Sequence, residues 1–131
     1  MLAYLWVAIG GALGSVTRFW MSGTIASRFG ETFPVGTLVI NVLGSLLIGF
    51  AAGLNAPDGR SLISPAARQF VMIGFCGGYT TFSSFSLQTL KLMQDRQWLY
   101  AGGNILLSVT LCLIGVWLGF LLASAINSRG A

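Results

Sequence analysis

Apolar residues fill four long stretches of the chain, roughly Leu2–Met21, Val35–Leu54, Ala66–Leu90 and Trp98–Ile126, and polar residues gather between them. Each stretch is close to or longer than the ~20 residues a helix needs to cross the hydrocarbon core, so the pattern predicts four membrane-spanning helices. The connections, Ser22–Pro34, Asn55–Pro65 and Lys91–Gln97, are short, and Pro34, Pro57 and Pro65 lie in or at the edges of the first two. No room is left for a soluble domain. Composition agrees: 55% of residues are hydrophobic, 8% are charged, and the mean hydropathy is +0.82, far from a soluble protein. The first stretch has no basic leader and is as long as a span, which predicts a retained helix and not a cleaved signal peptide. The expected fold is a single all-α domain over residues 1–131, multi-pass in the membrane.

The third stretch contains an interruption. In Gly74-Phe75-Cys76-Gly77-Gly78-Tyr79-Thr80-Thr81-Phe82-Ser83-Ser84-Phe85-Ser86, a glycine pair leads into Thr80-Thr81 and then into two phenylalanines three residues apart. A spanning helix closes its backbone hydrogen bonds internally, and non-helical backbone survives at membrane depth only where protein or a cavity satisfies it. The motif therefore predicts a helix broken near its middle beside an ion or substrate path. Every span also holds two glycines at GxxxG spacing: Gly10/Gly14, Gly49/Gly53, Gly74/Gly78 and Gly115/Gly119. Such pairs let helix backbones approach closely, and they support a compact bundle without saying which helix meets which.

Polar residues inside the spans are the next candidates. Asn41 sits in the middle of the second span, where an amide either bonds a neighbouring helix or lines an aqueous path. Asn104, Ser108 and Cys112 recur every four residues and share one face of the fourth helix. Arg18 lies near the end of the first stretch, either snorkelling to the interface or placing its charge at a vestibule or against a neighbouring loop. Phe82 and Phe85 read as packing residues on pattern alone. Beside a helix break they also offer positive ring edges, which stabilise an anion without a fixed charge. Trp20, Trp98 and Tyr100 fall near predicted span ends, where such rings favour the interface.

Charge narrows the function. The three acids, Glu31, Asp58 and Asp95, all fall in connections, and the chain has no histidine. Proton-coupled transporters carry a titrating group at membrane depth, so a passive pore is the better expectation. Cys76 and Cys112 lie in spans as small packing residues, with no spacing that suggests a disulfide or a metal site. Four spans put Arg60, Arg68 and Arg129 on the side of the termini and Arg18, Arg28, Lys91 and Arg96 on the other, three against four. Orientation follows an excess of Lys and Arg in cytoplasmic loops. A chain without an excess is expected to insert both ways and to pair with an inverted copy, the alternative being one topology fixed by a dominant loop or a partner.

At this point the residues resemble a known family. Gly36-Thr37-Leu38-Val39-Ile40-Asn41, the Gly74–Ser86 motif, and Gly10-Gly11-Ala12-Leu13-Gly14 followed by Arg18 are similar to the Fluc (CrcB) fluoride channels of bacteria, and the similarity covers all four spans. The resemblance implies a fluoride-selective passive channel of the bacterial inner membrane, built as an antiparallel, dual-topology homodimer with two pores. It further implies Phe82, Phe85, Asn41 and Thr81 along the pore, with Ser108, Asn104 and Cys112 as a polar track on the fourth helix. Arg18 would serve a vestibule or a structural role. Backbone carbonyls of Gly77 and Thr80 would hold a central structural sodium ion. The implied partners are fluoride, sodium, membrane lipid and a second copy of the chain, with no nucleic acid. Gln88 departs from the pattern, since relatives usually carry Glu there, and Cys112 is a weaker donor than the hydroxyl found in relatives. Two other classes compete: a small dual-topology multidrug or guanidinium exporter, which lacks here the intramembrane acid it would need, and a structural subunit that conducts nothing.

Overall fold

The computed structural model describes residues 1–55 and 61–129. Residues 56–60, with Pro57, Asp58 and Arg60 of the second predicted connection, lie outside the described residues. Among the described residues, four helical segments are long and apolar enough to cross a membrane: Leu2–Phe29, Val35–Gly53, Pro65–Gln94 and Trp98–Arg129. The first and last overrun the apolar stretches read from sequence. Helix α1 (Leu2–Phe29) continues past Trp20 and Met21 because no proline falls between them and Gly30 and the single Gly23 is tolerated, and Thr17, Thr24 and Ser27 turn their hydroxyls back onto carbonyls of their own helix. Gly30, at φ 78°, ends it. Trp20 therefore does not mark a helix end.

Helix α2 (Val35–Gly53) starts directly after Pro34. The third span is composite. Ser64 caps a short α3 (Pro65–Arg68) by accepting the Ala67 amide at 3.1 Å. A π-helical segment (Gln69–Phe75), α4 (Cys76–Tyr79), an extended Thr80-Thr81 pair and α5 (Phe82–Gln94) follow. The break falls where the sequence predicts it, while the π segment has no signal in the hydrophobic pattern. Helix α5 ends in paired bonds from the Arg96 amide to the Met93 carbonyl (3.0 Å) and from the Gln97 amide to the Leu92 carbonyl (2.8 Å). This closure needs a left-handed residue, and Arg96 supplies it at φ 58°. Helix α6 (Trp98–Arg129), 32 residues long, extends about 48 Å at the usual rise.

The glycine pairs find their partners. Gly10 and Gly14 of α1 lie against the third span: a methyl group on Gly14 would come within 2.9 Å of the Tyr79 amide nitrogen, and one on Gly74 within 2.9 Å of the Val7 carbonyl. Gly49 and Gly53 of α2 meet α6 in the same way, for a methyl group on Gly53 would reach the Phe120 carbonyl at 2.6 Å and one on Gly119 the Phe50 amide at 2.8 Å. In lipid no hydrophobic force drives helices together, so this backbone-to-backbone contact and the interhelical hydrogen bonds supply the cohesion. The bundle is thus two glycine-locked pairs, α1 with the third span and α2 with α6. Most large apolar side chains point outward, Leu99 and Phe19 among them, as expected of a surface that meets lipid.

Candidate functional site

The site grows from the backbone of the break. Thr80 and Thr81 are extended, which suits β-branched residues, and the carbonyls behind them lose their helical partners. Side chains take over. The Thr81 amide, which would otherwise bond the Gly77 carbonyl, donates to Asn41 Oδ1 at 2.8 Å, and Asn41 Nδ2 donates to the Thr81 carbonyl at 3.0 Å. The amide of α2 thus stands in for a peptide group. Arg18 Nε donates to the Gly78 carbonyl at 3.0 Å, so the guanidinium stem braces the break from α1. Thr81 Oγ1 caps α5 by accepting the Ser84 amide at 3.1 Å, which diverts that amide from the Thr80 carbonyl. The carbonyls of Gly77 and Thr80 are therefore both relieved of their ordinary helical partners. Gly77 is exposed, and a methyl group there would meet nothing within 4 Å.

Between the break, α2 and α6 lies a cavity of about 340 Å³. Asn41 and Ser45 line it from α2, Thr80 and Thr81 from the break, Phe82 and Phe85 from α5, and Ser108 and Cys112 from α6. Gly44 makes room for the break, since any side chain there would press on Thr80 and on the Tyr79 ring. The two phenylalanine rings sit 5.3 Å apart at 47°. Phe85 is 9% exposed and Phe82 76%, so one ring is set in the bundle and the other stands at its open edge.

The stripe on α6 divides. Ser108 and Cys112 belong to the cavity wall, whereas Asn104, 1% exposed, stands behind it. Asn104 Nδ2 donates to Thr89 Oγ1 at 3.0 Å, and Ser108 Oγ donates to Asn104 Oδ1 at 3.2 Å. Thr89, Ser45 and Gly44 escape a sequence reading. The available signals are weak: Thr89 follows Phe85 by four residues, and Ser45 follows Asn41 by four. Cys76 and Cys112 are both unpaired thiols.

A second cavity of about 330 Å³ is polar, with Glu31 and Thr32 from the first connection, Gln88 and Lys91 from α5, and Asp95 and Gln97 from the α5–α6 turn. Gln88 Oε1 is buried there without a protein partner. Gln88 lies one turn beyond Phe85 on α5, so the polar cavity and the phenylalanine-lined one occupy successive levels of the same helix. Among the described residues, the phenylalanine-lined wall carries no carboxylate, lysine or histidine. It can exchange a hydration shell for ring edges, an amide and hydroxyls.

Comparison with known proteins places the chain among relatives of matching length. Residues 5–120 match the family described as CrcB-like protein, Camphor Resistance (CrcB). The chain is 59% identical to a protein of Opitutus terrae named fluoride-specific ion channel FluC, over 98% of this chain and 97% of the relative. It is 60% identical to the protein of that name from Rhodospirillum rubrum, over 96% of this chain and 98% of the relative, and 57% identical to that of Methylocella silvestris, over 98% of each.

Proposed function

The chain belongs to the CrcB-like family, and we infer that it is a fluoride-selective passive ion channel, letting fluoride leave the cytoplasm down its electrochemical gradient without enzymatic chemistry. The observation that carries this reading is the Phe82–Phe85 pair at the wall of a cavity free of fixed charge, in a chain 59% identical end to end to a named fluoride channel. Fluoride is small and strongly hydrated. A pore must replace its water with several modest donors, because one strong charge would bind the ion and not release it. Ring edges of Phe82 and Phe85, the second N–H of Asn41, the Thr81 hydroxyl and Ser108 form such a set, with Cys112 as a weak addition. Arg18 and Asn41 hold the break that sets their spacing.

In this reading the active form is an antiparallel homodimer in the bacterial inner membrane, with two pores and a structural sodium ion between the copies. The near balance of basic residues supports insertion in both orientations. The exposed Phe82 and Gly77 give a second copy something to cover. Neutral backbone carbonyls suit a hard monovalent cation, and those of Gly77 and Thr80 are the ones freed by the Asn41 and Thr81 side chains. The test is ion release from liposomes loaded with fluoride and chloride, followed with ion-selective electrodes. Rapid fluoride loss with chloride retained is expected. Equal loss of both ions, or retention of fluoride, overturns the assignment.

A further inference from the structure

The direction of every hydrogen bond behind the cavity wall can be fixed from one end. Thr89 Oγ1 lies 2.7 Å from the Phe85 carbonyl, which only accepts, so Thr89 donates there. The lone pairs of Thr89 then face Asn104 and select its Nδ2, at 3.0 Å. That turns Asn104 Oδ1 toward Ser108, which must donate to it at 3.2 Å. The chain is polarised from Ser108 through Asn104 and Thr89 to the Phe85 carbonyl. All three side chains are buried, at 7%, 1% and 6% exposure. Ser108 alone of the three reaches the cavity, and it faces the cavity with lone pairs.

This is the wrong polarity for an anion. Of the other hydroxyls on the wall, Ser45 donates to the Asn41 carbonyl and Thr80 to that of Cys76, so besides Ser108 only that of Thr81 is available to an anion. If Ser108 simply swung its proton into the cavity, Asn104 Oδ1 would remain without a donor in a dry interior, which is costly. Reversal of the whole chain avoids that. The Asn104 amide turns over so that Nδ2 donates to Ser108 Oγ, Thr89 transfers its donation from the Phe85 carbonyl to Asn104 Oδ1, and Ser108 donates into the cavity. Each hydroxyl keeps its own proton. The Phe85 carbonyl retains the helical amide of Thr89, so it is not orphaned.

We propose that Asn104 and Thr89 are positioning residues forming a reversible hydrogen-bond relay, which turns Ser108 from an acceptor into a donor when an anion occupies the cavity. The proposal rests on the fluoride-channel reading and adds to it a conformational step in residues that do not touch the ion. An anion pays for the reversal with its bond to Ser108, whereas water accepts either polarity, so the relay favours occupancy by a strong acceptor.

The chain contains four asparagines, Asn41, Asn55, Asn104 and Asn127, so asparagine-selective ¹⁵N labelling of the full chain in bicelles gives a short set of side-chain amide signals. The Asn104 pair is assigned by its loss in Asn104→Asp. Titration with sodium fluoride is expected to displace the Asn104 pair, and sodium chloride at equal concentration is not. Ser108→Ala should abolish the displacement, while Thr89→Ser, which keeps the hydroxyl, should retain it. In liposomes, Asn104→Leu should lower fluoride flux about tenfold in the native background and less than about twofold when Ser108 is already Ala, because residues acting through one another are not additive. An Asn104 pair that stays still while the Asn41 pair responds to fluoride and flux is intact overturns the relay and leaves the channel reading standing. Absence of both flux and any fluoride response overturns the two together.

Discussion

Replacing Asn41 tests whether the break is held by a side chain. Asn41→Leu keeps a side chain branched at the same carbon but removes both bonds to Thr81, at 3.0 and 2.8 Å. Side-chain hydrogen bonds within membrane proteins contribute about 0.6 kcal/mol on average and up to about 1.7. Two of them to one residue, with no helical partner to fall back on, set an expected loss of about 1–3 kcal/mol. Asn41→Asp, assayed at a pH acidic enough to keep the carboxyl neutral, retains an acceptor for the Thr81 amide and one O–H for the Thr81 carbonyl and should fall between. The assay is equilibrium unfolding by sodium dodecyl sulfate in mixed micelles, followed by tryptophan fluorescence, with fluoride flux measured in parallel. The order native, Asn41→Asp, Asn41→Leu is expected in stability, with flux falling in the same order. Asn41→Leu at native stability would refute the clamp, and if its flux alone were lost, Asn41 would be a pore donor and nothing more.

Four further outcomes follow from the geometry. Phe82→Ile and Phe85→Ile keep apolar bulk but lose the ring quadrupole, so fluoride flux should fall by more than about tenfold with size-exclusion behaviour unchanged, and Met, being polarizable, should be the milder replacement; native flux from the double Ile variant would make the rings packing alone. Gly119→Ala drives a methyl group to 2.8 Å from the Phe50 amide and should cost about 1–3 kcal/mol in the same unfolding assay, whereas Gly102→Ala, with nothing within 4 Å, should not disturb the packing of the protomer. Gly77→Leu meets nothing in the protomer either, so a loss of dimer on size exclusion, together with sensitivity of the native dimer to sodium removal, would locate its cost at a second copy and a shared cation; an unaltered dimer in both experiments would remove that site. Arg96→Gly relieves the left-handed strain at φ 58° and should raise stability by up to about 1 kcal/mol, read as a shift of the unfolding midpoint.

The sequence determines the number of spans and the position of the break, because both depend on local chemistry. Four apolar stretches leave few other ways to satisfy a backbone in lipid, and glycines followed by paired threonines disfavour continuing a helix. It also excludes a histidine or an acid from the apolar stretches, since that is a matter of which residues are present. The pairing of the glycine motifs is another matter. Gly10/Gly14 and Gly115/Gly119 look alike along the chain, and the bundle alone joins the first to the third span and the second to α2. Likewise the even spacing of Asn104, Ser108 and Cys112 fixes a common helix face but not where the cavity wall ends across it, and only the placing of α5, which brings Thr89 against Asn104, decides that. Asn41 and Arg18 are legible as polar residues in apolar surroundings. Their partners, single carbonyls and an amide 40 and 60 residues away, are backbone groups present at every position, and only the break, once folded against α1 and α2, leaves those particular ones unpaired.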